Sequence, residues 1–156
     1  MTNKDIIIID CEASGLSEKS YPIEIGVAFK DDSFSFLIKP LDDWNDWNED
    51  SYQIHKIERQ ELFSKGISVY DAAYRLNSQL RGLTVYSDAS DFEVFWIDKL
   101  FSSVGISRNF DIESIYSLNF NAEKYMNIKK ELSLNSIIHR AENDAIIIRD
   151  SILRSL

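Results

Sequence analysis

Cysteine, proline, glycine and histidine are all scarce in this chain: one Cys, two Pro, five Gly and two His among 156 residues. A single thiol, Cys11, excludes an internal disulfide framework and agrees with a reducing compartment, so a cytoplasmic location is expected. With so little Pro and Gly, and with 44% hydrophobic and 28% charged residues, the composition fits neither a fibrous repeat nor a disordered, low-complexity segment. Long hydrophobic runs are also missing. The run Ile6, Ile7, Ile8 and Ile9 is far shorter than the roughly 20 residues of a membrane span, and neither export nor anchoring is expected. Basic charge is in deficit as well, with 17 Lys and Arg against 26 Asp and Glu and a formal net charge of −9. That balance excludes a broad basic surface for duplex nucleic acid and is more compatible with a short or single-stranded one. Metal-ligating carboxylates would account for part of the acid excess.

What is present is the patterning of one α/β domain over residues 1–156, a length that can bury a real core. Residues 6–9 read as a strand buried on both faces, delivering Asp10 at its C-terminal end. Residues 23–29 and 33–38 flank the turn-like Lys30, Asp31 and Asp32 and read as a hairpin, which Pro40 ends. Residues 41–50 form a polar loop whose Trp44 and Trp47 either pack back on the body, the favoured reading, or face a ligand. The spacing of Val69, Ala72, Ala73, Leu76 and Leu80 predicts an amphipathic helix with Ser68 as N-cap and Gly82 as its stop. A short strand over 83–87 follows. A second helix is expected to bury Phe92, Phe95, Trp96, Leu100, Phe101 and Val104 before stopping at Gly105. A fifth strand over 110–115 and a last helix from about 143 to 155, with Ala145, Ile148, Ile152 and Leu156 inward, complete the chain. The expected fold is a mixed five-stranded sheet flanked by helices, with ligands beyond the carboxyl ends of the parallel strands.

Asp10 and Glu12, one residue apart in extended chain, lie on the same side and can share a divalent cation; alone, the pair could equally be two solvated acids. The small-residue turn Ala13-Ser14-Gly15-Leu16 follows, where the backbone at Ala13 and Gly15 lets a terminal nucleotide approach closely. Near the other end, His139 precedes Asp144 by five residues, about 500° of helix, so the two would diverge on one continuous helix. His139 is therefore expected on a loop and Asp144 in the first turn that follows. An imidazole can act as general base for an attacking water beside a carboxylate-held cation. Cys11 points away from its acidic neighbours and reads as a small buried hydrophobe rather than a nucleophile.

On these residues the chain resembles the DnaQ-like, DEDDh 3′-5′ exonucleases of RNase H-like fold, a group that includes polymerase proofreading subunits, ribonuclease T and oligoribonuclease. The resemblance spans nearly the whole chain. Ile6-Ile7-Ile8-Ile9-Asp10-Cys11-Glu12 matches the first family motif, and His139 with Asp144 matches the third. Tyr52-Gln53-Ile54-His55-Lys56-Ile57 is similar to the stretch before the middle motif; His55 there reads as structural. The middle motif departs from the family, which shows an Asn, then an Asp opening a helix, then an aromatic and an aliphatic three and four residues later. Residues 88–97 fit if Asp88 replaces the Asn and Glu93 the Asp, with Trp96 and Ile97 completing the pattern. Glu93 is the first candidate for the fourth carboxylate, although Asp88 could reach the ions from the strand end and Asp91 could merely cap the helix.

The resemblance implies two Mg²⁺ or Mn²⁺ ions held by Asp10, Glu12, Glu93 and Asp144, with Asp88 as a further candidate and His139 as general base. It implies release of nucleoside 5′-monophosphates from the 3′ end of single-stranded DNA or short RNA. Leu16 is similar in position to an apolar contact with the terminal base, a core leucine being the alternative. The same residues are compatible with two rival readings: a catalytically impaired RNase H-like nucleic-acid-binding module, and an endonuclease of related fold. The choice of DNA or RNA is open, and so is the oligomeric state, a homodimer included.

Overall fold

A computed structural model describes residues 6–135 and 139–154. These form five strands and six helices in the order β1 (Ile8–Ala13), β2 (Pro22–Ala28), β3 (Ser33–Leu37), α1 (Glu49–His55), α2 (Arg59–Lys65), α3 (Val69–Leu80), β4 (Thr84–Ser87), α4 (Ser90–Val104), β5 (Asp111–Ser114), α5 (Ala122–Asn135) and α6 (Ala141–Arg154). A 3-10 turn, Ile115–Leu118, follows β5. The sheet order is β3-β2-β1-β4-β5. β1, β2 and β3 pair antiparallel, whereas β1–β4 and β4–β5 are parallel. This is the expected mixed five-stranded sheet.

The period-2 alternation of β1 sorts its side chains between the two faces. Ile7, Ile9, Cys11 and Ala13 bury in a core with Trp96, Ile97 and residues of α3. Ile6 and Ile8 bury on the opposite face with Ala145, Ile148 and Ile152 of α6. Asp10 and Glu12 continue this second, even-numbered row. The same alternation that buries two isoleucines against α6 thus sends the two carboxylates towards its N-terminal end.

Several boundaries differ from the sequence reading. Asp10 does not sit at the end of β1: the strand starts at Ile8 and continues to Ala13, because β2 pairs with it through Asp10↔Gly26 and Glu12↔Glu24. Phe92 and Phe95 are 43% and 39% exposed. The buried row of α4 is Glu93, Trp96, Ile97, Leu100 and Phe101, and a carboxylate with partners in the sheet sets the rotation of the helix. α6 begins at Ala141, ahead of 143, because the Glu24 carboxylate accepts the Ala141 N–H at 2.9 Å and satisfies a helix-terminal donor. Ser155 and Leu156 lie outside the described residues. Helices α1, α2 and α5 were not expected from the sequence. Asp91 is not the cap of α4: Ala89 holds that position without a side-chain hydrogen bond, and Asp91 sits exposed in the first turn.

Other expectations hold. The Ser68 hydroxyl accepts the Asp71 N–H at 3.0 Å to cap α3, and α4 stops at Gly105 with φ of 66°. Trp44 is buried and stacks on Tyr21 with centroids 5.4 Å apart, while Trp47 packs on the same core. No described helix is long and apolar enough to cross a membrane.

Candidate active site

The N-terminus of α6 is seated on β2 by the residues that face it. At Gly26 a Cβ would stand 2.3 Å from the Glu142 nitrogen and 2.5 Å from the Ala141 carbonyl carbon. Only glycine lets the helix backbone approach this closely. Two residues earlier, buried Glu24 accepts from Arg140 Nε at 3.0 Å and Nη2 at 2.5 Å, in addition to the Ala141 N–H. Glu142 accepts from the Ser33 and Ser35 hydroxyls, each at 2.8 Å, tying the same turn to β3. Held in this way, α6 delivers Asp144 to the carboxylate row of β1. None of Gly26, Glu24 and Arg140 was singled out from the sequence. The available signals were a glycine inside a strand, which marks close backbone approach, and an acid in an otherwise apolar strand.

The result is two carboxylate sets that share one residue. Asp10, Glu12 and Asp144 each present a ligand atom within 4.8 Å of the others, and so do Asp10, Asp88 and Glu93. Asp88 leaves the end of β4. Glu93 comes from the first turn of α4 and is 2% exposed. Its Oε1 accepts the Cys11 N–H at 3.3 Å and its Oε2 accepts the Ser87 hydroxyl at 2.6 Å. The structure thus brings together Asp10, Glu12, Glu93, Asp144 and Asp88, and leaves Asp91 outside.

Crowding of this kind is costly for anions. Burial first, and then Glu93, Glu12, Asp88 and Asp144, hold the Asp10 carboxyl well above its ordinary range. Burial, Asp144 and Glu24 push Glu12 up to about 9. Burial raises Glu93 to about 8 against the opposing Ser87 hydrogen bond, and it raises Asp88 too. The nearby guanidinium of Arg140 is engaged by Glu24 and lowers Glu12 only in part. A set of hard oxygen donors without matching protein cations suits divalent ions such as Mg²⁺ or Mn²⁺.

His139 precedes α6, with Nδ1 3.5 Å from Asp144 Oδ2 and its side chain 47% exposed. Both the loop position of His139 and the first-turn position of Asp144 match the sequence reading. Cys11 is buried, and burial with the surrounding carboxylates pushes its thiol up, against any thiolate role.

Beside Glu12, the turn after β1 borders a cavity of about 110 Å³ lined by residues that include Ala13, Gly15, Leu16, His55 and Trp96. The turn is fixed from behind. Ser14 Oγ donates to Asp46 at 2.9 Å and accepts the Tyr21 N–H at 3.1 Å. Leu16 is 70% exposed, which overturns its alternative reading as a core leucine. His55 is buried with Nδ1 accepting the Ile57 N–H at 2.9 Å, and its ring meets Trp47 and Tyr52 edge-on. Burial lowers it to about 4, so it stays neutral. Its ring also forms part of the cavity wall.

The mixed five-stranded sheet in the order β3-β2-β1-β4-β5, with its flanking helices, has the RNase H-like fold. Among solved structures, the chain is similar to Exonuclease I of E. coli. In complex with a dT13 oligonucleotide, that enzyme aligns with a TM-score of 0.72 at 15% identity, covering 96% of this chain and 41% of the other. Exonuclease I without ligand gives 0.72 and 15%, covering 94% and 40%. The zinc-ion-bound form of its complex with single-stranded DNA gives 0.68 and 14%, covering 96% and 39%. The chain therefore spans about two fifths of the length of these structures, and the likeness establishes the fold. No family model and no curated protein matches the chain.

Proposed function

We propose that the chain is a DnaQ-like, DEDDh-type exonuclease that removes nucleoside 5′-monophosphates from the 3′ end of single-stranded DNA or short RNA. The observation that carries this reading is the pair of three-carboxylate sets sharing Asp10. A shared central ligand between two oxygen-donor sets is the arrangement that a two-cation phosphoryl-transfer site requires. Asp10, Glu12 and Asp144 would hold one Mg²⁺ or Mn²⁺, and Asp10, Asp88 and Glu93 the other. When bound, the ions lower the pKa of water and neutralise charge on the attacking and leaving oxygens.

The chain's own residues supply the rest. Asp144 faces His139 Nδ1 and orients the ring, which assigns Nε2 to take the proton from the attacking water. Water adds to phosphorus, the bond to the 3′ oxygen breaks, and the shortened strand keeps a new 3′-hydroxyl. The terminal base is assigned to the cavity beside Glu12, against Leu16 and the backbone at Ala13 and Gly15. An exposed leucine gives apolar contact without sequence preference. Single-stranded DNA in the Exonuclease I complexes supports the class of substrate.

A second reading, a binding module without turnover, is favoured by one observation: both Glu93 oxygens already accept hydrogen bonds from the protein. The deciding experiment uses 5′-labelled single-stranded DNA and RNA with Mn²⁺ or Mg²⁺, comparing the native chain with Asp10→Ala and His139→Ala. A metal-dependent ladder from the 3′ end, lost in both variants and blocked by a modified 3′ end, supports the exonuclease. Cleavage that ignores the 3′ block indicates an endonuclease. No cleavage by folded protein supports the binding module.

A further inference from the structure

The parallel strands β4 and β5 end together, with Ser87 opposite Ser114. The chain leaving β4 gives Asp88 to the acidic site. The chain leaving β5 gives the 3-10 turn, and with it a surface of a different character. Tyr116 in that turn is 44% exposed and lies against Tyr125 of α5, with centroids 4.7 Å apart. The Tyr125 hydroxyl donates to the Ile115 carbonyl and accepts the Phe120 N–H, each at 3.1 Å, so the aromatic cluster is fixed to the turn. Two lysines of α5 flank it: Lys129 Nζ stands 5.8 Å from the Tyr116 ring centroid and Lys124 Nζ 4.2 Å from that of Phe120.

Solvated lysines on a helix are commonplace, so their charge partners matter. Among the described residues, Lys124, Lys129 and Lys130 form no ion pair with a carboxylate, whereas the Glu131 carboxylate of the same helix is taken by Arg154 at 2.6 Å. In a chain of net charge −9, three such lysines on one helix that also carries Glu123 and Glu131, two of them lying over aromatic rings, make a local excess of cation beside the strand end that bears Asp88. Because Ser87 and Ser114 are paired at the ends of neighbouring parallel strands, the turn carrying Tyr116 leaves the sheet beside Asp88.

We infer that the 3-10 turn and α5, through Tyr116, Lys124 and Lys129, form a track that holds single-stranded nucleic acid upstream of the nucleotide being removed. Ammonium groups would pair with backbone phosphates, and the exposed Tyr116 ring would stack on an unpaired base. A duplex does not fit this chemistry, because its bases are already stacked and the patch offers few cations. The inference rests on the proposed exonuclease for its direction, but its test does not depend on turnover.

The test is equilibrium binding of 5′-fluorescein oligo(dT), from about two to about twelve nucleotides, to the full chain in EDTA, read by fluorescence anisotropy. Affinity of the native chain is expected to climb with length. Lys124→Gln/Lys129→Gln is expected to flatten that climb and weaken binding of the longest strand about tenfold or more near 0.1 M salt. The slope of log affinity against log salt should become shallower by about 0.7 per lost phosphate contact, so by about 1.4 for the pair. Tyr116→Ala should weaken binding of the normal strand about fivefold or more and leave an abasic strand unaffected. Lys30→Gln/Lys65→Gln changes net charge equally and should bind like the native chain. If the α5 pair behaves like this control while melting normally, the inference is overturned. Because binding is measured without hydrolysis, an inactive protein would defeat the exonuclease reading and leave this one standing.

Discussion

Replacing Glu12 by Gln should stabilise the metal-free protein, although it removes a ligand from the candidate site. Glu12 is pushed from an ordinary 4.5 up to about 9 by burial, Asp144 and Glu24. Below pH 4.5 the carboxyl is protonated in both folded and unfolded chains, and its full contribution is present. Between 4.5 and 9 the unfolded chain ionises while the folded one holds its proton, so stability falls as pH rises, by about 1.4 kcal/mol per pH unit for one such group. At pH 7 that would amount to about 3 kcal/mol at most. Partial exposure of Glu12 screens it, which leaves about 1–3 kcal/mol. Gln keeps the shape and has no proton to retain. For a chain of this size the gain corresponds to about 2–10 °C in Tm. Scanning calorimetry in EDTA at several pH values should show the Tm difference between Glu12→Gln and the native chain widening from pH 5 to 8.5. Added Mn²⁺ should reverse the order, because only the native chain keeps its full ligand set. A variant no more stable than the native chain at any pH, or a difference that narrows as pH rises, would show that the buried Glu12 carboxyl does not destabilise the metal-free fold.

Gly26→Ala should force α6 off β2 and cost at least about 1–3 kcal/mol, because the atoms met at 2.3 and 2.5 Å are helix backbone; thermal melting and Mn²⁺ titration should show both lower Tm and weaker metal binding. Ser87→Ala removes the 2.6 Å donor to Glu93 and should lower Mn²⁺ affinity about 10–100-fold, read by isothermal titration calorimetry; unchanged affinity would take Glu93 out of the ligand set. His139→Ala should lower turnover by about 10²–10⁴ while leaving Mn²⁺ binding intact, a combination that separates proton transfer from metal holding.

The chain of Asp10, Glu12, His139 and Asp144 was legible because its logic is local. Strand alternation sets the first pair on one face, and a five-residue separation across a helix start sets the second. The sequence left Glu93, Asp88 and Asp91 as candidates to join them, because the choice depends on how the chain leaves β4 and on the rotation of α4; the structure brings in both Asp88 and Glu93. Glu93 turns inward through hydrogen bonds to Cys11 and Ser87, and the same rotation exposes Phe92 and Phe95. Glu24, Arg140 and Gly26 escaped notice for a related reason. Their role exists only through the pairing of β2 with β1 and the docking of α6, whose contacts with Glu24 join residues more than a hundred positions apart. Helices α1 and α2 are seven residues each, too short for a hydrophobic period to declare itself. The sheet itself was easier to read: the apolar strands and the turns between them already required five strands in a mixed arrangement.

The most direct measurement is the identity of the first product released from a single-stranded oligonucleotide in Mn²⁺, resolved by chromatography and mass at early times. A two-cation 3′-5′ exonuclease should release a nucleoside 5′-monophosphate from the 3′-terminal position, absent in EDTA and absent with Asp10→Ala. A nucleoside 3′-monophosphate, an internal fragment, or the same product in EDTA would contradict it.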